Sequence, residues 1–468
     1  MTDSSPTTDH VDLRPGAYAD SVALLQVSRD VQDVPGVVTA QVAMATALNV
    51  EVLGEMGFAV PAGATSNDMV VAVRLAADGD LGRALAAVEA ALTPARREAG
   101  GGEAEPRRTT ATALLDGPAL ALVSVPGRSA LVEAMDALDA GCDVMVFSDN
   151  VPLAQEVALK RTASDRGLLV MGPDCGTAVV GGVGLGFANA VRPGPVGIVA
   201  ASGTGCQQLL ALLDHAGVGV GSALGVGGRD LSAEVGGLST LEAMRRLDAD
   251  DEVDLVVVVS KPPAAQVATR VETQAGSLAT PVELALLGPG RPDLTAAAEA
   301  VLARLGRPVP VWPVAGRAEP GAPGAVRGLF VGGTLCQEAT IIAQGSDPDG
   351  AHTFTDFGDD EYTQGRAHPM IDPTLRLDHL ARTAADPATA VLLLDVVLGH
   401  GVEPDPAARL APVLAGVRPP VVVCVVGTAD DPQDRDRQVR ALVEAGAEVH
   451  LSNAAATRRA LELAGGPR

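Results

Sequence analysis

The sequence predicts an α/β protein in which a small α+β domain precedes a Rossmann-like parallel sheet and two duplicated α/β domains. Two observations support this prediction. Val-rich apolar runs alternate with Ala- and Leu-rich helical patterns, and one strand–turn–helix pattern occurs twice. Hydrophobic residues make up 47% of the 468 residues and aromatic residues only 2%, so the core must consist of Ala, Val and Leu.

The first part of the chain predicts a flexible N-terminus over residues 1–19 and a small α+β domain, ferredoxin-like in its pattern, over residues 20–97. Residues 98–112 are rich in Gly and Glu and predict a linker. The expected elements of the small domain are two strands and two helices, namely Ser21–Ser28, Asp68–Leu75, Val37–Met56 and Asp80–Ala91.

Strands and helices alternate over residues 113–192, which predicts a Rossmann-like domain whose loops at the strand ends carry any site. The dinucleotide fingerprint Gly-x-Gly-x-x-Gly is missing from the first loop, so NAD is not expected. Arg128 in that loop is a candidate phosphate contact, and a solvated surface arginine is an equal alternative. The candidate binding residues of this domain are Pro126, Gly127, Arg128, Ser129, Asp174 and Cys175.

Two further α/β domains, 193–322 and 323–468, share the turn Gly-Thr-x-Cys-Gln-(Gln/Glu) between a buried strand and a helix. Glycine lets backbone N–H groups approach a ligand, and the start of a helix presents unpaired N–H groups. For a single such turn, a helix cap with closely packed glycines is the alternative. Two copies favour one shared anion site, with the candidate residues Ser202, Gly203, Thr204, Gly205, Gly332, Gly333 and Thr334.

A glycine-rich loop in the first copy supplies further candidates. Gly227 and Gly228 predict a close backbone approach, and Arg229 predicts contact with an anion. The alternative is a surface loop in which Arg229 pairs with Asp230.

A long polar loop in the second copy contains the candidate catalytic residues Asp356 and His368. Its carboxylates suit a divalent cation such as Mg²⁺, but acidic surface loops are common in so acidic a chain, and we assign no metal ligand. Cys206 and Cys336 lie in the first turn of their helices, where the helix dipole would lower the pKa of a thiol. Cys206 is therefore a candidate nucleophile.

Composition excludes several classes of partner. The net charge of −24 argues against nucleic acid and anionic membranes. The sequence shows no membrane span, signal peptide, Cys-x-x-Cys pattern or P-loop. We therefore expect a cytoplasmic protein that acts on a small anionic substrate.

The order of these motifs is similar to that of the succinyl-CoA synthetase α-subunit, and the chain from residue 20 onward more closely resembles the FdrA family of that superfamily. The resemblance implies a CoA-binding-type Rossmann domain followed by two flavodoxin-like ligase domains. The segments that carry it are Gly172–Thr177, Gly184–Asn189, Ser202–Gly205, Gly227–Asp230, Gly332–Glu338, Asp356–Asp360, His368–Pro373 and Gly399–Pro406.

The resemblance also implies carbamoyl transfer to or from phosphate, by a subunit of an oxamate carbamoyltransferase in allantoin or purine catabolism. Phosphate and carbamoyl phosphate would be substrates, partner subunits or a homo-oligomer would be expected, and CoA and Mg²⁺ stay open as cofactors. One alternative is a CoA-binding, acyl-CoA synthetase-like subunit without the phosphohistidine, since no histidine lies between His215 and His352. A non-catalytic regulatory protein is the other alternative.

Overall fold

The computed structural model describes residues 7–17, 19, 21–93, 109–114, 119–345, 350–363 and 366–465. These residues form two compact units. Unit 1 comprises the described residues among Met1–Pro106 and Asp359–Leu375, and unit 2 comprises those among Arg107–Gly358 and Arg376–Arg468. No helix in the described ranges is long and apolar enough to cross a membrane.

Unit 1 is a small α+β domain built on an antiparallel sheet with the strand order β1-β3-β2. Helices α1 and α3 pack together and share one apolar core with β2 and β3. The elements in the N-terminal part of this unit are β1 (Thr8–Arg14), α1 (Ser21–Gln32), β2 (Val37–Met44), α2 (Ala47–Glu55), β3 (Met69–Leu75) and α3 (Leu81–Leu92).

Unit 1 corrects three predictions. Strand β1 lies within the stretch predicted to be flexible; it pairs with β3, and Asp9 Oδ1 accepts a hydrogen bond from Arg74 Nε at 2.7 Å. The predicted strand at Ser21–Ser28 is helix α1, because its buried residues recur at helical spacing over a longer stretch. The predicted helix at Val37–Met56 is divided into β2 and α2.

The segment Asp359–Leu375 also belongs to unit 1, although the sequence places it in the domain 323–468. The guanidinium of Arg29 in α1 donates a hydrogen bond to the carbonyl oxygen of Ile371 at 3.1 Å. The predicted linker over residues 98–112 lies outside the described residues as far as residue 108.

Unit 2 begins with the Rossmann-like part, a parallel sheet with the order β4-β5-β6. Its strands share one apolar core with the two helices that follow its first and second strands, as the alternating pattern predicts. The elements are α4 (Thr110–Ala113), β4 (Leu120–Val123), α5 (Gly127–Asp139), β5 (Asp143–Val146), α6 (Leu153–Asp165) and β6 (Val170–Met171).

The first ligase-like half is a sheet with the order β12-β11-β9-β10-β7-β8. Strands β9 to β12 are parallel, and the hairpin β7–β8 extends the edge in the antiparallel sense. The elements are β7 (Thr177–Val180), β8 (Val183–Gly186), β9 (Val196–Ala201), α7 (Gly203–His215), β10 (Val220–Gly225), α8 (Leu238–Asp248), β11 (Leu255–Ser260), α9 (Ala265–Ala275), β12 (Val282–Leu286) and α10 (Leu294–Arg304).

The second half is a sheet with the order β13-β18-β17-β16-β14-β15. The short helix α12 lies in the segment that belongs to unit 1. The elements are β13 (Val314–Ala315), β14 (Ala325–Phe330), α11 (Gly333–Gln344), β15 (Thr353–Asp356), α12 (Asp360–Thr363), α13 (Thr374–Ala385), β16 (Thr389–Val397), α14 (Pro406–Leu414), β17 (Val421–Val426), α15 (Arg435–Glu444), β18 (Ala447–His450) and α16 (Asn453–Leu463).

The two halves repeat one topology. The order β12-β11-β9-β10 corresponds strand for strand to β17-β16-β14-β15, and all of these neighbours are parallel. The structure thus confirms the duplication inferred from the repeated turn. In each half the central strand, β9 or β14, leads directly into the helix that carries the repeated motif.

Candidate functional site

The N-termini of α7 and α11 meet in unit 2. The hydroxyls of Ser202 and Thr334 lie 2.5 Å apart, and the backbone N–H of Thr334 donates to Thr204 Oγ1 at 3.3 Å. All three side chains are buried, whereas Gly203 is exposed and Gly333 is half-buried. The repeated turns of the two halves are therefore in direct contact, and the shared anion site stays a prediction.

Serine 202 begins α7 as a side-chain cap. Its Oγ accepts a hydrogen bond from the backbone N–H of Gly205 at 2.9 Å. A Cβ at Gly205 would lie 2.5 Å from that oxygen and 3.1 Å from Cγ2 of Thr334. Glycine is thus required here because the two helix ends approach each other closely.

Aspartate 395 caps α11, and sequence reasoning did not place it in the site. Its two carboxylate oxygens accept hydrogen bonds from the backbone N–H groups of Val331 and Gly332, each at 2.8 Å. Burial raises the pKa of Asp395, and the Arg376 guanidinium, 3.2 Å away, opposes that shift together with these hydrogen bonds. The sequence feature that could have pointed to Asp395 is that it is the single carboxylate within the otherwise apolar strand β16.

Lysine 261 and Asp356 meet at Gly333, the first residue of α11. A methyl group on its Cα would overlap the Asp356 carboxylate and lie 2.9 Å from Lys261 Nζ. Oδ1 of Asp356 accepts a hydrogen bond from the N–H of Gly358 at 2.9 Å. The structure therefore brings the predicted Asp356 into the site and adds Lys261, which follows β11 and is exposed.

The cysteines do not have lowered pKa values. Cys206 is fully buried, and burial raises the pKa of its thiol to about 12. Burial also raises the pKa of Cys336, and the charges of Asp356 and Asp395 add to that shift. The prediction of dipole-activated thiols is wrong, because desolvation of a thiolate outweighs the helix dipole at these positions.

Arg229 belongs to an ion cluster between α6 and the loop after β10. Its guanidinium lies 2.9 Å from the Glu156 carboxylate and donates to the carbonyl oxygen of Val151 at 2.8 Å. Lys160 is buried and lies 2.9 Å from Glu156 and 2.8 Å from Asp230. The suggested pairing of Arg229 with Asp230 is therefore replaced by two pairs that join the Rossmann-like part to the first half.

Gly227, in the loop after β10, permits close packing between two loops. A Cβ at Gly227 would lie 2.5 Å from the carbonyl oxygen of Pro173, whereas Gly228 has open space around it. The neighbouring Cys175 is buried, and burial raises the pKa of its thiol to about 12, while Asp174 is exposed. The close approach predicted at Gly227 is real, but its partner is backbone of the same protein.

The loop Pro126–Ser129 forms the start of α5. Pro126 is the N-cap, and the backbone N–H of Ser129 donates to its carbonyl oxygen at 2.7 Å. A Cβ at Gly127 would lie 2.7 Å from the backbone of Asn150, so this glycine permits contact between two loops. Arg128 is exposed at the same helix end, where an anion would be favoured.

His368 is part of unit 1 and is described with that unit alone. Its Nδ1 accepts a hydrogen bond from the N–H of Met370 at 3.2 Å, and its carbonyl oxygen accepts one from Ile371 at 2.7 Å. Burial lowers the pKa of His368 to about 4, so the ring is neutral at pH 7. In the structure, His368 therefore stabilises the turn that runs from His368 to Ile371.

The last position of the repeated motif joins the two halves. Oε1 of Gln208 in α7 accepts a hydrogen bond from the N–H of Asn453, the first residue of α16, at 3.0 Å. Oε1 of Glu338 in α11 accepts one from the N–H of Leu294, the first residue of α10, at 2.7 Å. Each repeat thus caps a helix of the other half, which explains why this motif position is polar and buried.

Comparison with protein families supports the class that this architecture defines. Residues 329–463 match the model described as CoA-ligase, and residues 7–108 match the model described as AllF, heavy metal-associated domain. The fold is therefore a Rossmann-like and CoA-ligase-type α/β architecture with a small N-terminal α+β domain.

A relative that matches almost the full length of the chain shows the family to which the chain belongs. The chain is 36% identical over 489 aligned residues to the protein named uncharacterized protein YahF from Escherichia coli. The alignment covers 93% of this chain and 94% of that relative. The chain belongs to the same family as YahF.

The subunit alpha 1 of succinate–CoA ligase [ADP-forming] from Archaeoglobus fulgidus is 28% identical over 144 residues. That match covers 30% of this chain and 48% of the ligase subunit, so the chain spans about half the length of this relative. Among solved structures, acetyl-coenzyme A synthetase 1 of Ca. Korarchaeum cryptofilum, in complex with phosphate and ADP, matches with 15% identity and a TM-score of 0.29. The match covers 75% of this chain and 85% of the synthetase chain.

The residues present do not fit a heavy-metal centre in the range matched by the first model. The sequence has no cysteine before Cys142, and His10 is its one histidine within residues 7–108. Within the described ranges, no group of three or more His, Cys, Asp or Glu side chains could hold a metal ion. We assign no metal to this unit.

Proposed function

We propose that this protein catalyses acyl transfer to or from phosphate, with carbamoyl as the transferred group and the anion held where α7 and α11 begin. The observation that carries the proposal is the meeting of the two repeated turns through Ser202, Thr204 and Thr334. Two helix N-termini supply backbone N–H groups that favour an anion and an oxyanion formed beside it. The match of residues 329–463 to the CoA-ligase model supports an acyl-transfer chemistry.

The reaction that suits this site needs no covalent intermediate. A phosphate oxygen attacks the carbamoyl carbonyl carbon, the bond from that carbon to nitrogen breaks, and the leaving nitrogen takes a proton. Positioning of the two reactants supplies much of the rate. Partner subunits, as in an oxamate carbamoyltransferase, would complete this activity under the same proposal.

A second candidate is a CoA-binding, acyl-CoA synthetase-like role. It is favoured by the exposed Arg128 at the start of α5 and by the CoA-ligase match. The residues Pro126–Ser129 would hold phosphate groups of CoA at the helix end, and bound CoA would supply a thiol as acyl acceptor.

Ligand titrations separate the two candidates. Inorganic phosphate, carbamoyl phosphate, CoA and Mg-ATP are titrated by calorimetry and by thermal shift, since a ligand of the folded state raises Tm. We expect Thr204→Val to weaken phosphate binding about tenfold or more, through loss of a hydroxyl at the site. Thr457→Val, a buried threonine in α16, is the matched control and should bind as wild type.

Arg128→Met tests the second candidate. It should weaken CoA binding and leave phosphate binding unchanged. The proposal of phosphate-dependent transfer would fail if wild type bound neither phosphate nor carbamoyl phosphate, or if Thr204→Val bound both as tightly as wild type. Strong CoA binding that is lost only in Arg128→Met would favour the synthetase-like role instead.

A further inference from the structure

One segment of the second half of unit 2 is held by unit 1. The chain leaves unit 2 after Gly358 and returns to it at Arg376. The described residues in between, 359–363 and 366–375, belong to unit 1 together with its N-terminal elements. The second half is thus interrupted by a segment of another unit, and both ends of that segment are covalently joined to unit 2.

Unit 1 holds the segment through helix α1 and strand β2. The Arg29 guanidinium in α1 donates a hydrogen bond to the carbonyl oxygen of Ile371 at 3.1 Å. Ala367 and Asp372 line one small cavity together with residues of α1 and β2. The position of residues 367–372 therefore depends on the packing of α1 and β2.

Both ends of the segment lead to the start of α11. Before the segment, the Asp356 carboxylate lies beside Gly333, the first residue of that helix. After it, the Arg376 guanidinium donates hydrogen bonds to the carbonyl oxygens of Leu329 at 3.0 Å and Asp395 at 2.7 Å, and it lies 3.2 Å from the Asp395 carboxylate. That carboxylate accepts the backbone N–H groups just before α11, so Arg376 connects the end of the segment to this helix start.

The chain between Ile371 and Arg376 has little freedom. The N–H groups of Ile371 and Asp372 donate to the carbonyl oxygen of His368, at 2.7 and 3.0 Å, and form a turn. Oδ1 of Asp372 then accepts hydrogen bonds from the N–H and the hydroxyl of Thr374, at 3.1 and 2.6 Å, where α13 begins. Because Arg376 is the third residue of this helix, a displacement of Ile371 displaces Arg376 as well.

The pair of Arg376 and Asp395 is sensitive to such a displacement. Arg376 is 5% exposed and Asp395 is 0% exposed, so little water screens their interaction. Separation of a buried pair leaves two charges that water does not solvate, which is strongly unfavourable. The geometry at the start of α11 therefore responds to the position of Arg376.

We propose that unit 1 positions the start of α11 through Arg376, and that Arg29 is a positioning residue for the site. A change in unit 1 that moves residues 367–372 shifts Arg376 relative to Asp395 and loosens the N–H groups that this carboxylate holds. Unit 1 thereby acts as a regulatory domain. The effect of this link on catalysis rests on the proposed function, whereas the link itself is a property of the fold.

Hydrogen–deuterium exchange of the full chain, followed by peptide mass spectrometry, measures the link without a ligand. Arg29→Met should speed exchange at residues 329–336 about tenfold, the lower limit for loss of a hydrogen bond from a charged donor. Exchange in β11, a buried strand of the first half, should be unchanged. Arg83→Met, at an exposed arginine of α3 in unit 1, is the matched control and should match wild type. Arg29→Lys keeps a cationic donor and should retain most of the protection.

Asp372→Ala tests the link at a second point, because it removes the hydrogen bonds that begin α13. We expect the same faster exchange at residues 329–336, while wild-type exchange in β3 shows that unit 1 is folded. Wild-type exchange at residues 329–336 in both variants would overturn the link. An equal increase in β11 would also overturn it, because general destabilisation would then explain the result.

Phosphate titrations by thermal shift separate the link from the proposed function. If inorganic phosphate raises the Tm of wild type, and Arg29→Met shows both faster exchange and a smaller rise, both proposals stand. If wild type binds neither phosphate nor carbamoyl phosphate while exchange responds as expected, the proposed function falls and the link stands. If Thr204→Val loses phosphate binding but neither Arg29→Met nor Asp372→Ala changes exchange at residues 329–336, the proposed function stands and the link falls.

Discussion

The carboxyl of Glu338 provides a quantitative test of how the two halves are joined. It is 1% exposed, and its oxygens accept hydrogen bonds from the N–H of Leu294 and from Asn453 Nδ2, each at 2.7 Å. Burial raises the pKa of Glu338 from 4.5 to about 7, Asp293 adds to the shift, and these hydrogen bonds and Arg458 oppose it. Folding therefore favours the protonated form of this acid.

The sign and size of the pH dependence follow from that shift. Between pH 4.5 and 7 the folded chain binds more protons at Glu338 than the unfolded chain, so stability falls as pH rises through this window. At 1.36 kcal/mol for each pKa unit, the contribution lost above pH 7 is about 3 kcal/mol. Glu338→Gln removes the charge and should remove this dependence.

Urea unfolding of unit 2 measures the effect. The single tryptophan, Trp312, donates a hydrogen bond to Glu299 within unit 2, so its fluorescence reports the unfolding of that unit. We expect the stability of Glu338→Gln relative to wild type to increase by about 2–3 kcal/mol between pH 5 and pH 8, at an unchanged m-value. Glu319→Gln, at an exposed side chain, is the control and should show a constant difference. A constant difference in Glu338→Gln as well would refute the reasoning.

Three further predictions address the site itself. Gly333→Ala should lose phosphate-dependent stabilisation in thermal-shift titrations, because the new Cβ meets Asp356 and Lys261; the same rise in Tm as wild type would contradict the geometry. Asp395→Asn should destabilise unit 2 by about 3–5 kcal/mol in urea unfolding, because Arg376 is left buried without its charge partner, and a loss below 1 kcal/mol would show that the pair is not needed. Native alkylation with iodoacetamide at pH 8 should leave Cys206 unmodified, because its thiol is buried with a pKa of about 12, and rapid modification seen by mass spectrometry would count against that burial.

The repeated turn was predictable because its glycines and hydroxyl residues are adjacent in sequence. The same motif predicts both helix starts, and the structure brings Ser202 and Thr334 together. Asp395 and Lys261 were not predictable in this way, because Asp395 lies within β16 and Lys261 follows β11, and each reaches the site only through the strand order of its own sheet. Long-range contacts of this kind leave no local pattern.

Two errors arose because a local feature of the sequence was considered alone. The eight residues Ser21–Ser28 fit a strand as well as a helix, and only the continuation to Gln32 gives the helical spacing of buried residues. The expected activation of Cys206 considered the helix dipole alone, whereas complete burial determines the thiol pKa. In both cases a local feature was outweighed by the surrounding packing.

The duplication is not symmetric in charge, and this difference predicts where an anion would bind. Val259 pairs with Ala200 in the first half, and strand register places Asp395 at the corresponding position of the second. The start of α11 therefore has a carboxylate on its N–H groups, whereas α7 is capped by the neutral Ser202. Because the positive end of α7 is not neutralised by a carboxylate, we expect a phosphate to bind nearer Gly203 than Gly333.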